Sequence, residues 1–157
     1  MTKKDIFIDT NKVKGFSNPL NLEYKKLLIW LKESNDGNNK AYLVVSKKLL
    51  GEYKRTMGHA ASGNNIAGII DLLTRQGRIN EISNDQIKEF QRKYFTKIAE
   101  RKLLSNVEDR ELIPVVLLSD RKYALTSDKK FTKDLEKTFA KFKPTVGKTP
   151  SDIPYDK

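Results

Sequence analysis

The sequence predicts an α/β domain in which helices cover both faces of a parallel sheet. Short runs rich in β-branched residues, such as 6–8 and 41–45, alternate with stretches whose apolar residues recur at helical spacing. This alternation is typical of parallel strands joined by crossover helices. The length of 157 residues, without an internal repeat, fits a single domain with one core. We place that domain at 1–143 and interpret 144–157, which holds three of the five prolines, as a C-terminal edge strand or extended tail.

Local signals set the elements and their ends. Ser46 is placed to cap a helix, Ser83 or Asn84 to cap another, and Gly77 to stop a third. Pro114 falls inside a further helical stretch and is expected to kink or shorten it. In chain order we predict strands at 5–9, 40–46, 78–83 and 122–127, and helices at 18–34, 47–57, 65–77, 85–104, 107–120 and 129–142.

The charge balance favours a polyanionic partner. Lys and Arg number 31 against 20 Asp and Glu, which gives a net charge of +11. A basic surface gains affinity for nucleic acid by releasing counterions from phosphates, although a basic composition also simply aids solubility. No apolar run approaches the roughly 18 residues of a membrane span. The first residues lack the apolar region of a secretory signal, so we expect a cytoplasmic protein without a membrane partner.

The scarcity of soft ligands restricts the metal chemistry. The chain has no cysteine and one histidine, His59. Structural zinc, iron–sulfur clusters and histidine-rich sites are therefore excluded. Any metal must be held by oxygen, which favours Mg²⁺ or Mn²⁺. His59, in a small-residue loop, is a minor candidate for a general base.

Four acids occupy places where parallel α/β sheets build sites. Asp9 ends the first strand and Asp128 follows the strand at 122–127. Asp109 lies near the start of the helix before that strand, and Glu52 lies in the helix after the second strand. Taken singly, each has an ordinary alternative as a turn residue, a helix-end acid or part of a solvated face.

Together these phrases resemble the PIN-domain nucleases. The order "IFIDTN", "LLGEY" and "EDRELIPVVLLSDRKYALTSDKKF" is similar to that family's order of acids, including the phrase "TSD" at 126–128. The resemblance runs from residue 5 to about 143. It implies a single PIN-like domain with Asp9, Glu52, Asp109 and Asp128 gathered in one acidic pocket.

The resemblance also implies an endoribonuclease that uses Mg²⁺ or Mn²⁺. Asp9 and Asp128 are then direct metal ligands, and Glu52 and Asp109 bind the same or a second ion. Asn11 and Thr126 support the ligands, and Glu108 is the alternative to Asp109. A cluster of carboxylates agrees with this interpretation, since a cation relieves their mutual repulsion.

The sequence predicts less about the substrate and the partners. We expect Lys129 and Lys130 to contact nucleic acid, on a helix whose basic face of lysines is interrupted by Asp134. A merely solvated lysine face is the alternative. Small stand-alone members of the family are commonly toxins, which suggests RNA as substrate and an antitoxin protein as partner; a homodimer is left open. The rival hypotheses are a non-catalytic nucleic-acid-binding or protein-binding module on the same fold, and a nuclease that cuts DNA or flaps.

Overall fold

A computed structural model describes residues 2–18, 20–57 and 66–157, and it confirms the α/β architecture. Five parallel strands form one sheet in the order β3-β2-β1-β4-β5. Residues 5–8 of β1 are all buried although successive side chains point to opposite faces, so the sheet is covered on both sides. The strands are β1 (Lys4–Ile8), β2 (Ala41–Val45), β3 (Ile79–Glu81), β4 (Tyr123–Leu125) and β5 (Thr145–Gly147).

The helices begin and end largely where local chemistry directs. Ser46 accepts a hydrogen bond from the Leu49 amide at 3.2 Å, Ser83 forms a capping box with Gln86, and Gly77 adopts a φ of +67°. The α-helices are α1 (Leu22–Glu33), α2 (Lys47–Met57), α3 (Ile66–Arg75), α4 (Asn84–Tyr94), α5 (Lys97–Lys102), α6 (Leu112–Leu117) and α7 (Lys129–Lys133). A π-helical turn, Asp134–Thr138, continues α7, and 3₁₀ helices cover Thr10–Ser17, Gly37–Asn39, Val107–Glu111, Ala140–Phe142 and Pro150–Asp152.

Three of the predicted helices are divided, and the stretch 129–142 breaks at Phe139, before the last 3₁₀ turn. The stretch 85–104 breaks between α4 and α5, because Phe95 packs on Phe90 and Phe139 while Thr96 caps the second helix. The stretch 107–120 becomes a 3₁₀ helix followed by the short α6. Pro114 lies in the first turn of α6, where a missing amide hydrogen breaks no intrahelical bond.

The C-terminal segment packs on the body of the fold. β5 pairs in parallel with β4 at the edge of the sheet. Ile153 and Tyr155 are buried, and the Tyr155 ring lies 5.1 Å from Trp30 between centroids. In the described ranges, no helix is both long enough and apolar enough to cross a membrane.

Asp134 does not lie on the exposed basic face, and that part of the prediction is wrong. Its side chain is buried and accepts hydrogen bonds from the Leu104 amide and from the amide and hydroxyl of Ser105. A carboxylate that satisfies the backbone at the end of α5 is stable inside the fold, because its charge is met by three donors.

Candidate acidic site

The strand order places Asp9 at the point where the topology of the sheet changes direction. From β1 the chain builds outward through β2 and β3, and later returns to the other side of β1 with β4 and β5. Ligands of open parallel sheets bind at such a switch point, beside the carboxyl ends of the strands. The Asp9 amide donates to the Leu125 carbonyl at 2.8 Å, so the ends of β1 and β4 are held together.

The Asp9 carboxylate is nearly buried, with 9% of its surface exposed, and it is held by three donors. Its Oδ1 accepts from the Thr10 amide at 2.8 Å. Its Oδ2 accepts from the Thr126 hydroxyl at 2.6 Å and from the Asn11 amide group at 3.3 Å. Asp9 therefore has a fixed orientation at the edge of the sheet, as charge-assisted hydrogen bonds provide.

Thr126 and Asn11 also link Asp9 to the segment that carries Asp128. The Thr126 oxygen accepts from the Asp128 amide at 3.1 Å while its hydroxyl donates to Asp9. Asn11 Oδ1 accepts from the Ser127 amide at 3.1 Å. Asn11 and Thr126, the two residues predicted to support the site, therefore contact Asp9 and link it to the segment that follows β4.

Glu52 reaches the same edge from α2. Its Oε2 accepts a hydrogen bond from the Thr10 hydroxyl at 3.0 Å, and its Oε1 lies 3.9 Å from Lys48 Nζ. The Glu52 carboxylate is close enough to Asp9 to raise the pKa of Asp9. The helix after the second strand therefore delivers the acid that the sequence predicted.

Asp128 and Asp109 complete the group. Asp128 Oδ1 caps α7 by accepting from the amides of Lys130 and Phe131 at 2.9 and 3.1 Å. The Asp128 carboxylate raises the pKa of both Asp9 and Asp109. Asp109 lies half-buried on the 3₁₀ helix before α6, whereas Glu108 is exposed, so the geometry favours Asp109 over its neighbour.

We call the group of acids at the carboxyl ends of the strands the acidic edge; its members are Asp9, Glu52, Asp109 and Asp128. Burial raises the pKa of Asp9, the bonds from Thr126 and Thr10 lower it in part, and the carboxylates of Glu52 and Asp128 raise it again. For Asp109, burial and then Asp128 raise the pKa, and the nearby Lys48 ammonium lowers it. A positive ion at this edge would relieve the repulsion that both pKa values report.

The donor chemistry suits a hard cation, but the spacing does not form a closed cage. All the donors are oxygens, as Mg²⁺ and Mn²⁺ prefer. Among the residues the structure describes, no group of three or more acids or histidines is arranged to hold a metal ion. Mg²⁺ commonly keeps several waters and uses only one or two carboxylates, so the residues present fit that open mode of binding. His59, the minor candidate for a general base, lies outside the described residues.

The other acid of β1 shows what a purely structural carboxylate looks like. Asp5 is fully buried at the opposite end of the strand. It accepts from the amides of Asp120 and Arg121 and from the side chain of Asn80, at 2.8 to 2.9 Å. These backbone donors stabilise a loop. Asp9 differs because the carboxylates of Glu52 and Asp128 lie near it.

Several contributors were not foreseen from the sequence. The Thr10 hydroxyl bonds Glu52, and the buried Tyr53 hydroxyl donates to the Ile8 carbonyl beneath the site. Lys48 lies one helical turn before Glu52, and this spacing of four residues is the only local signal that could have indicated it.

The two lysines that we predicted to contact nucleic acid lie in different surroundings. Lys129 lines a cleft of about 460 Å³ next to Thr126 and Ser127. Lys130, predicted as a second contact to nucleic acid, is exposed on α7 and does not line that cleft.

Comparisons of the chain with protein-family models, with curated proteins and with solved structures each give no match.

Replacing Thr126 by valine is expected to weaken the fold and to disturb Asp9. Valine keeps the shape but removes the hydroxyl, so a buried carboxylate loses its shortest hydrogen bond at a cost of about 1–3 kcal/mol. The pKa of Asp9 should rise further, since the Thr126 bond lowers it. Urea unfolding and an NMR titration of the Asp9 carboxyl carbon measure both effects. Thr126→Ser keeps the hydroxyl and should restore most of both; equal effects in the two variants would contradict the assigned role.

Asp109→Asn is expected to stabilise the protein slightly at neutral pH. A folded-state pKa above the ordinary value means that the folded chain holds this proton to higher pH than the unfolded chain does. The free energy of unfolding therefore falls as pH rises through that window and stays lower above it. Removing the charge should add less than about 1 kcal/mol near pH 7, because the group is partly solvated.

The gain from Asp109→Asn should disappear near pH 3.5, below the ordinary Asp pKa of about 3.9. Urea unfolding at both pH values measures it. Glu108→Gln makes the same change in net charge on an exposed neighbour and should give a smaller gain. A gain that is independent of pH, or equal in the two variants, would contradict the electrostatic origin.

Proposed function

We propose that the chain is a divalent-metal-dependent endoribonuclease, in keeping with the resemblance of its motifs to the PIN-domain nucleases. The observation that carries the proposal is Asp9, a nearly buried carboxylate at the switch point of the sheet, whose pKa is raised by burial and then by the nearby carboxylates of Glu52 and Asp128. Neighbouring carboxylates repel one another unless a cation balances their charge, and acids with shifted pKa values cluster at functional sites.

The residues divide into those that hold the cation and those that hold the ligands. Asp9 and Asp128 would bind it directly, with Glu52 and Asp109 bound directly or through water. A bound Mg²⁺ or Mn²⁺ supplies an activated water and balances charge on the phosphate oxygens. Thr126 and Asn11 orient Asp9, and Thr10 orients Glu52. Such supporting hydrogen bonds set the direction and basicity of metal ligands.

The choice of RNA rests on two supports. The net charge of +11 favours a polyanionic substrate, and the resemblance favours RNA over DNA. Purified protein should cut a single-stranded RNA when Mg²⁺ or Mn²⁺ is added and stop when EDTA is added. Preferential cutting of a flap or single-stranded DNA of the same sequence would replace the substrate class and keep the metal chemistry. Cleavage that persists in EDTA would reject the metal-dependent chemistry.

A non-catalytic binding module is the second candidate. It is favoured by one observation: the described acids do not form a closed group of three metal ligands. This candidate expects RNA binding without turnover under any divalent metal, and affinity that does not change in Asp128→Asn. Metal-dependent cleavage that Asp128→Asn abolishes would exclude it.

The biological role is part of the same proposal. A small ribonuclease of this kind acts in the cytoplasm as the toxin of a toxin–antitoxin pair, restrained by an antitoxin protein. Expression in a bacterium should then arrest growth, and Asp9→Asn should not. Growth that is unaffected by the active protein would reject the toxin role without touching the chemistry. Size-exclusion chromatography decides whether the chain forms a homodimer.

A further inference from the structure

A cleft beside the acidic edge has four lysines among the residues that line it. It encloses about 460 Å³, within the roughly 300–1,000 Å³ typical of ligand pockets. One wall is α7 with its π-helical continuation, and the other is β5 with the residue after it. The lysines that line it are Lys129, Lys133, Lys137 and Lys148.

These four ammonium groups lack carboxylate partners. Within the described part of the chain, none of them lies in an ion pair, although the chain forms such pairs elsewhere. Glu136 is the single acid in the lining, and it is exposed. Four unpaired cations around one concave surface focus a positive potential, which attracts a ligand carrying several negative charges.

The cleft is continuous with the acidic edge. Thr126, which bonds Asp9, and Ser127, which bonds Asn11, both line it. Burial and then the nearby Lys148 ammonium lower the pKa of Lys12, so Lys148 on the rim of the cleft lies near the 3₁₀ helix that follows Asp9. An RNA strand whose reacting phosphate lies at Asp9 and Asp128 can therefore continue past Thr126 and Ser127 into this cleft.

We propose that the cleft binds the phosphates of single-stranded RNA next to the phosphate at the acidic edge, with Lys133, Lys137 and Lys148 as contacts beyond Lys129. The inference rests on the proposed function, because it takes the acidic edge as the reacting centre. Val146 and Gly147 supply the apolar floor against which a nucleotide lies.

The shape favours a single strand over a duplex. Proteins that bind single strands use a positively charged groove that follows the backbone, with apolar or aromatic surface for the bases. Duplex RNA is contacted across its broad minor groove over many base pairs. A cleft of about 460 Å³ has room for a nucleotide, whereas a double helix would contact only its exposed rim.

The test measures binding without cleavage. A fluorescein-labelled oligouridylate of about 12 nucleotides is titrated in EDTA with wild-type protein and with Lys133→Ala/Lys137→Ala over a range of salt. The two residues are exposed and four apart, so both substitutions fall on one face. The control is Lys3→Ala/Lys40→Ala, which removes the same charge from a smaller pocket of about 170 Å³ at the amino ends of β1 and β2, away from the acids.

The cleft variant should bind about 10-fold more weakly at 0.1 M salt, and its slope of log affinity against log salt should fall by about 1.4, at about 0.7 per phosphate contact. Lys133→Arg/Lys137→Arg should restore most of the affinity, and the control should leave the slope unchanged. An unchanged slope in the cleft variant, an equal loss in the control, or tighter binding of a duplex RNA would overturn the proposal.

The outcome is separable from that of the proposed function. Salt-dependent binding that requires Lys133 and Lys137 supports the cleft even when no metal gives cleavage. Cleavage that persists with wild-type KM in the cleft variant rejects the cleft and leaves the metal chemistry standing.

Discussion

Asp9→Asn is expected to lower metal-dependent RNA cleavage by about 1,000-fold while the chain remains folded. A metal ion supplies several kcal/mol of charge stabilisation, and each 1.36 kcal/mol is a factor of ten in rate. Asparagine keeps the size of the side chain and an oxygen for the Thr10 amide, but it removes the charge that would bind the cation. Initial rates on one RNA with Mn²⁺, beside circular dichroism of both proteins, measure the effect.

The fold should tolerate this change because the charge itself is unfavourable there. Burial and two neighbouring carboxylates raise the pKa of Asp9, so the ionised form is held against an electrostatic cost. The matched control is Asp36→Asn. Asp36 is exposed, makes no capping hydrogen bond with its side chain and lies before the amino end of β2, away from the acids. Equal rates in Asp9→Asn and wild type would remove Asp9 from the chemistry.

Arg78→Met is expected to lower the free energy of unfolding by at least about 3 kcal/mol. Arg78 has no exposed surface, and its guanidinium joins the end of α1 to the start of β2. Methionine fills much of the volume but leaves buried carbonyls without donors. The guanidinium donates to the carbonyls of Leu31, Lys32, Ser34 and Ala41 and to the side chain of Gln76.

Urea unfolding at pH 7 measures this loss. Arg75→Met, on the exposed end of α3, removes the same charge and should cost no more than about 0.5 kcal/mol. Equal losses in the two variants would mean that charge, and not the buried carbonyl contacts, sets the effect. Arg78 lies at the amino ends of β2 and β3, whereas Asp9 lies at the carboxyl end of β1, so the expected effect is on stability.

The sequence could predict those features whose cause is local. The buried runs of β1 and β2, the cap at Ser46, the capping box at Ser83 and the stop at Gly77 each depend on a few neighbouring residues. The alternation of elements predicted that the strands run parallel, but not their order in the sheet. The order in the structure places β4 beside β1, and this pairing brings Thr126 to Asp9.

Other features depend on contacts that no local pattern carries. The break at Phe95 arises because the Phe95 ring packs against the rings of Phe90 and Phe139. Arg78 at the start of a strand has the composition of an ordinary exposed end, and only the fold shows the carbonyls around it. The cleft likewise depends on Lys148, the residue after β5, which lies near the lysines of α7 and its π-helical continuation only in the folded chain.

The central claim is that the acidic edge binds a divalent cation through Asp9, and calorimetric titration with Mn²⁺ tests it most directly. Wild-type protein should give saturable heat of binding, and Asp9→Asn should bind at least about 10-fold more weakly. The same titration of Asp36→Asn should match wild type. Heat that is absent in wild type, or the same in Asp9→Asn as in wild type, would contradict the account.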